Sequence, residues 1–236
     1  MTSKKHPLSQ KFGARDNQII ESDGILPLGS RIHMFVGSKG SSKTTTILNL
    51  LSLKESPYHK YFKNILLVSP SAHADKKLNK LYEELDREGK VYEELTEETV
   101  EDIIAKLEEW NAEAKKPIQN LLIIDDSGDR LPTGRRASAI TKIFTNSRHL
   151  NLSIFLVLHK FTQATPVIRN SVDTLFIFKQ NSKYEIDSMK KNLNVDEDVF
   201  VRNLAEATAK PYGFMFLNVI GGRPKYYDRF DELPDK

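Results

Sequence analysis

The chain has 236 residues, 39% of them hydrophobic and 28% charged, with 11 Gly and 10 Pro; this balance suits a sizeable folded core and excludes collagen-like and low-complexity classes. Zero cysteines exclude disulfides, iron–sulfur clusters and Cys-based zinc sites, and fit a reducing compartment. The formal net charge of +3 predicts no partner by itself.

Residues 1–24 read as a polar, basic arm with Lys4, Lys5, Lys11 and Arg15. Its start, Met1-Thr-Ser-Lys-Lys-His, has no apolar stretch behind the lysines, so no secretory signal is expected. Residues 25–236 form one continuous domain, since no Pro-, Gly- or Ser-rich linker divides them. Candidate strands are Arg31–Val36, Asn64–Ser69, Asn120–Asp125, Ser153–His159 and Asp173–Phe178, each short and rich in Ile, Leu, Val or Phe. Such runs suit strands buried on both faces of a parallel sheet. Helical patterns lie between and beyond them: Thr44–Leu53, Leu78/Leu81/Tyr82/Leu85, Val100/Ile103/Ile104/Leu107 after a Thr-Glu-Glu start, Ile140/Ile143/Phe144, Tyr184–Leu193 and Asp196–Ala209. Gly213–Val219 and Lys225–Arg229 around Gly221-Gly222 predict a terminal β-hairpin. The alternation predicts right-handed βαβ units and an α/β domain. The longest apolar runs hold five or six residues, as in Ile154 to Leu158, far below the ~20 that span a bilayer.

The strongest local signal is Gly37-Ser38-Lys39-Gly40-Ser41-Ser42-Lys43-Thr44-Thr45, between a predicted strand and a predicted helix. Small residues let successive backbone N–H groups turn inward around a phosphate, and the helix N-terminus aims positive potential at it. In that role Lys43 reaches the β- and γ-phosphates of a nucleotide and the Thr44 hydroxyl ligates Mg²⁺. The glycine usual before the lysine is Ser42 here. A second signal, Leu121-Leu122-Ile123-Ile124-Asp125-Asp126, ends an apolar strand in two carboxylates at the edge where the phosphate loop lies. Asp125 is expected to hold Mg²⁺ through water, and Asp126 to orient or deprotonate the attacking water. The extra strand Asn64–Ser69 and the second acid favour the division of NTPases in which a carboxylate follows the Mg²⁺-binding Asp. With no Asn-Lys-x-Asp guanine reader, ATP is the expected nucleotide.

The strand Ser153–Leu158 ends in His159-Lys160, with Gln163 four residues beyond His159. A polar side chain there can touch the γ-phosphate or the attacking water, which makes His159 the sensor candidate. The other histidines show no metal-ligand spacing. Charge is unevenly spread: residues 71–115 carry 14 acidic and 7 basic side chains, whereas 130–170 carry Arg130, Arg135, Arg136, Lys142, Arg148, Lys160 and Arg169 and no acid. That stretch is expected to meet anions.

The loop GSKGSSKTT, the strand LLIIDD, the run SRHLNLSIFLVLH and the stretch TPVIRNSVDTLFIF resemble, in order and spacing, the FtsK/HerA-type viral genome-packaging ATPases, in the poxvirus-like branch shared by large DNA viruses and virophages. The likeness covers about residues 28–220. It implies a P-loop, RecA-like three-layer core with strand order 5-1-4-3-2. It also implies a homo-oligomeric ring, pentamer or hexamer, and ATP- and Mg²⁺-dependent translocation of double-stranded DNA into a capsid, anchored on a capsid or vertex protein. The corresponding location is the host cytoplasm, in viral factories, and the virion. By the same resemblance Lys43 and Thr44 match the phosphate-loop pair, Asp125 and Asp126 the Mg²⁺ and catalytic acids, and His159 the sensor, where the family more often has glutamine. Two departures stand out, Ser42 for glycine and the shorter Asp126 for the glutamate of cellular relatives. Arg148 is taken as the arginine supplied in trans, and Arg135 and Arg136 as grips on DNA phosphates. The competing readings are a nucleotide-dependent scaffold or switch that seldom hydrolyses, supported by Ser42, and a cellular DNA-pumping ATPase.

Overall fold

A computed structural model describes residues 25–71, 79–131 and 138–235. The five expected core strands are β1 (Ile32–Val36), β2 (Asn64–Val68), β4 (Asn120–Ile124), β5 (Leu152–Leu158) and β6 (Thr174–Phe178). They run parallel to their neighbours in the order β2-β4-β5-β1-β6. Counting core strands alone, this is the 5-1-4-3-2 order implied by the resemblance. The C-terminal hairpin of β7 (Phe214–Asn218) and β8 (Lys225–Asp228) extends the sheet antiparallel from β6. Gly221 and Gly222 in its turn both take φ +82°, a conformation only glycine adopts without cost. Two short edge strands, β3 (Val91–Tyr92) beside β2 and β9 (Asp231–Leu233) beside β8, have too little periodicity to be seen in sequence.

Strand side chains alternate between faces, so each strand feeds two cores. Met34, Val36, Leu122, Ile124, Ile154 and Leu156 face one side. There they meet α3 (Glu97–Glu113) through Val100, Ile103 and Leu107, α4 (Ala139–Thr145) through Ile143 and Phe144, and α7 (Glu197–Ala207) through Phe200 and Leu204. Phe35, Leu121, Ile123, Phe155, Val157 and Phe176 face the other, against Ile47 and Leu50 of α1 (Lys43–Ser52) and Leu85 of α2 (Asn79–Arg87). Helices on both faces make the three-layer α/β sandwich. The Thr-Glu-Glu start of α3 is a cap: the Thr96 hydroxyl accepts from the Thr99 N–H at 3.0 Å, with Glu97 and Glu98 in the positive first turn.

One polar side chain sits inside β1. His33 is 1% exposed, its Nδ1 2.7 Å from Thr174 Oγ1 and its Nε2 3.3 Å from the Tyr58 hydroxyl. Burial, reinforced by the Arg31 guanidinium, pushes its pKa down to about 3, so the imidazole is neutral at physiological pH. The stretch after β5 folds into a 3₁₀ turn (Phe161–Gln163) and α5 (Pro166–Asn170), and the helix expected over Tyr184–Leu193 is α6 (Lys183–Leu193). No helix among the described residues is long and apolar enough to cross a membrane.

Candidate nucleotide site

The phosphate loop leaves β1 at the carboxyl edge of the parallel sheet, between β5 and β6. Gly37 N–H still donates to the Leu158 carbonyl at 3.2 Å, so the loop starts in register with β5. A Cβ on Gly37 would lie 2.6 Å from Phe178 Cβ and 2.8 Å from Ser41 Oγ, which is why a glycine stands there. Gly40 takes φ +79°. Ser42, at the N-cap of α1, takes φ 76° and ψ 19°, and its side chain makes no capping hydrogen bond. The family's usual glycine is therefore replaced at a position whose backbone is left-handed. Thr44 and Thr45 open the helix.

Lys43 is only 7% exposed. Its Nζ donates to the carbonyls of Gly37 at 2.6 Å and Ser38 at 3.0 Å, arching back over the loop. Burial holds its pKa below the ordinary lysine value, while the carboxylates of Asp125 and Asp126 pull the other way. That electrostatic contact places the two signals of the sequence at one site.

Asp125 continues β4, its N–H donating to the Val68 carbonyl at 2.9 Å. At Asp126 the chain turns left-handed, φ 51°, which swings its carboxylate toward β5. There Asp126 Oδ1 lies 3.0 Å from His159 Nε2, with both side chains partly open to solvent. His159 Nδ1 is buried without a partner, so the pair fits the tautomer in which Nε2–H donates to the carboxylate. Asp126 and His159, expected from separate sequence signals to be catalytic acid and sensor, form one hydrogen-bonded pair.

Gln163 has a larger part than its spacing suggested. Its Oε1 accepts from the N–H groups of His159 at 3.0 Å and Lys160 at 2.9 Å. A Cβ on Gly128, two residues past Asp126, would lie 2.6 Å from Gln163 Nε2. One amide thus ties the loop after β5 and packs against the loop after β4. Glu185 of α6, 4% exposed, accepts from the Thr162 hydroxyl at 2.6 Å and its N–H at 3.1 Å, which fixes the 3₁₀ turn from behind. Gln180, past the end of β6, donates to the Val36 and Phe178 carbonyls under the loop. These residues lack a motif; only the end-of-strand position of Gln180 and the spacing of Gln163 hinted at them.

The arginines separate. Arg148 is exposed in the turn that leads into β5, at the sheet edge opposite the phosphate loop; seven strand residues put roughly 20 Å between them. Arg169 packs over the Phe161 ring, 5.2 Å from its centroid, with Nη1 3.4 Å from Ser188 Oγ. Arg130 lies 3.8 Å from Glu94 and 3.9 Å from Asp129, so acids outside the acid-free window partly offset it. Arg135 and Arg136 lie outside the described residues, as does the arm 1–24.

The donors suited to Mg²⁺ are hard oxygens, the Thr44 hydroxyl and the Asp125 carboxylate. Among the described residues no cluster of three or more His, Cys, Asp or Glu forms a metal cage. Mg²⁺ is commonly bound by one or two protein oxygens, with substrate phosphates and waters completing its shell.

Comparison with known proteins supports the same fold. The genome packaging NTPase B204 from Sulfolobus turreted icosahedral virus 2, solved in complex with ATP-gammaS, superposes with a TM-score of 0.61 at 18% identity, covering 88% of this chain and 98% of that one. B204 from Sulfolobus turreted icosahedral virus, described as a DNA-packaging ATPase, gives 0.63 at 17% identity, over 84% and 96%. In sequence the chain is 23% identical over 215 residues to the uncharacterized protein 015R of Frog virus 3 (isolate Goorha), and 25% identical over 166 residues to the uncharacterized protein 075L of Invertebrate iridescent virus 6. The matches cover 90% and 70% of this chain, which spans 63% and 60% of those relatives' lengths. The sequence pattern of the Poxvirus A32 protein family matches residues 30–209, a span that holds the phosphate loop, Asp125, Asp126 and His159, and the chain belongs to that family.

Proposed function

We propose that this chain is an ATP-hydrolysing motor that moves double-stranded DNA into a viral capsid. The observation that carries the reading is the convergence of Lys43, Asp125, Asp126 and His159 at one sheet edge beside a helix N-terminus. The likeness in fold to the two B204 proteins, a genome packaging NTPase solved with ATP-gammaS and a DNA-packaging ATPase, supports it.

Backbone N–H groups of residues 37–45 bind the β- and γ-phosphates, and Lys43 exchanges its bonds to the loop carbonyls for phosphate oxygens. Thr44 and Asp125 would hold Mg²⁺, which would supply charge neutralisation at the phosphates. Asp126 accepts a proton from, or aligns, the attacking water, and His159 holds the Asp126 carboxylate by its Nε2–H. Because that bond joins the loops after β4 and β5, loss of the γ-phosphate changes the balance of contacts at both. Arg148, on the far edge of its own sheet, serves the neighbouring subunit's nucleotide in a homo-oligomeric ring. Arg135 and Arg136, nine and ten residues after Asp126, grip DNA phosphates, a sequence-neutral handle. The ring docks on a capsid or vertex protein, in cytoplasmic viral factories and in the virion.

The test is turnover with and without duplex DNA. Wild type hydrolyses ATP faster with DNA; Lys43→Ala loses nucleotide binding; Asp126→Asn binds but does not turn over. Mixed rings of Arg148→Ala and Asp126→Asn subunits recover activity at interfaces that combine an intact site with an intact arginine. Robust hydrolysis by Asp126→Asn overturns the catalytic assignment. ATP binding without turnover in wild type, with or without DNA, favours the scaffold or switch.

A further inference from the structure

A cavity of about 1000 Å³ opens on the flank of α1, against the phosphate loop. Gly40, Ser42 and Thr45 of the loop form one end. Tyr212, Arg229 and Phe230 form a wall from the C-terminal strands. These two sets bring together segments about 170 residues or more apart in the chain.

Three features mark this wall as built for a ligand. First, six large hydrophobic side chains are exposed among the described residues, and three of them, Leu53 at 50%, Tyr212 at 69% and Phe230 at 37%, line this cavity. Second, of the positive-φ residues other than Gly, Asn and Asp, namely Ser42, Lys60, Tyr212 and Arg229, three line it as well. A left-handed backbone at such residues is uncommon and clusters where a ligand is held. Third, the strained wall is held in place. A Cβ on Gly213 would lie 2.3 Å from the Ala207 carbonyl oxygen, so the chain at Tyr212 lies hard against the end of α7. Arg229 N–H donates to the Phe214 carbonyl at 3.0 Å. Phe230 stands against Phe214 and Phe216, ring centroids 5.8 and 6.1 Å away.

We propose that this cavity seats the purine nucleoside of the bound nucleotide: the base lies against Tyr212 and Phe230 while the phosphates run past Gly40 and Ser42 into the loop. The inference rests on the phosphate-loop reading above and adds the half of the site that reading leaves unassigned. Continuity decides the occupant, since the same three loop residues form the end of the cavity and the cradle for the phosphates. The volume is at the upper end of the range for small-molecule sites, ample for a base and ribose. Aromatic faces stack on any base but gain most from the two-ring purines. Tyr212, Arg229 and Phe230 all lie beyond residue 209, where the family match ends, and line the cavity together with Thr45 and Asn49 of α1.

The test separates base from phosphate. Calorimetry with Mg²⁺ measures ATP, CTP and inorganic tripolyphosphate on wild type, Tyr212→Ala, Tyr212→Phe, Phe230→Ala and Lys43→Ala. ATP binds tighter than CTP, and CTP tighter than tripolyphosphate. Tyr212→Ala weakens ATP about tenfold and leaves tripolyphosphate unchanged, and Tyr212→Phe, which keeps the ring, retains wild-type affinity. Phe230→Ala acts in the same direction; Tyr212, being the more exposed, serves if loss of the Phe230 ring costs folding. Lys43→Ala weakens all three ligands. Equal ATP affinity in wild type and Tyr212→Ala, with tripolyphosphate still bound, overturns the nucleoside seat and leaves the phosphate loop standing. Absence of tripolyphosphate binding, or its indifference to Lys43→Ala, overturns the phosphate-loop reading itself.

Discussion

Ser42 is the position at which backbone strain can be measured. Its φ of 76° and ψ of 19° place a residue with a Cβ in the left-handed region, and its hydroxyl makes no capping bond. For an L-residue that conformation costs roughly 1–2 kcal/mol. Ser42→Gly removes the cost but gives the unfolded chain more freedom, a loss of about 0.4–1 kcal/mol. No side-chain cap is sacrificed, and glycine at an N-cap is within a few tenths of serine anyway. The net expectation is a gain of about 0.5–1 kcal/mol. For a chain of this length each kcal/mol shifts the melting temperature by about 2–4 °C, so the variant melts roughly 1–4 °C higher. Ser42→Ala is the control: it keeps the Cβ and the strain, loses no hydrogen bond at the cap, and stays near wild type. Urea denaturation of the three proteins without nucleotide gives the numbers. A Ser42→Gly protein less stable than Ser42→Ala would refute the reasoning, because the two differ in little besides the left-handed penalty and chain entropy.

Two further predictions concern the half-buried Gln163 amide and the buried His33 imidazole. Gln163→Ala removes the acceptor shared by the N–H groups of His159 and Lys160, so kcat falls about tenfold or more while ATP binding is retained; Gln163→Glu, which still accepts both, recovers most of the rate, and Gly128→Ala, whose Cβ meets the Gln163 amide, behaves like Gln163→Ala. Equal loss of nucleotide affinity in all three would mean the loop matters for the fold and not for positioning His159. His33 is neutral in the folded protein with its pKa at about 3, against about 6.5 when unfolded. The folded pKa is the lower one, so the unfolded state binds the extra proton and the stability held above pH 6.5 is lost as pH falls toward 3. The slope from this one group is up to about 1.4 kcal/mol per pH unit. Urea unfolding between pH 4 and 8 should give a shallower acid limb for His33→Gln, by about one proton; identical limbs would remove His33 from the acid response.

The sheet was legible because its strands are buried on both faces. Runs such as Leu121–Ile124 and Ile154–Leu158 are apolar without interruption, and only a strand covered above and below tolerates that. The boundaries of the core strands agree to within one residue with those read from the sequence, and α3 was announced by its cap. What was not legible follows from the same physics. The two-residue β3 and three-residue β9 are shorter than the period that would reveal them. In α5, Pro166 reads as a breaker until it is seen at the first turn behind the Thr165 cap, where its missing N–H costs nothing. His33 alternates correctly as a strand residue but looks polar, and only Thr174 and Tyr58, 141 and 25 residues away, make its burial tolerable.

The candidate site divides along the same line. Lys43, Asp125, Asp126 and His159 were readable because each stands at a fixed offset from the end of a strand, and parallel strands deliver their ends to one edge. What joins them was not readable, because it depends on a backbone sign and on loop-to-loop reach. Asp126 meets His159 only because its φ is 51°; an extended residue there would project its carboxylate to the other side of the strand end. Gln163 acts on His159 because a 3₁₀ turn brings its amide back over four residues. Tyr212 and Phe230 line one cavity with Gly40 and Ser42 because β7 to β9 extend the sheet antiparallel from β6. The motifs locate the chemistry at the strand ends, and left-handed residues at Ser42, Asp126, Tyr212 and Arg229 bend the loops that make one site of it.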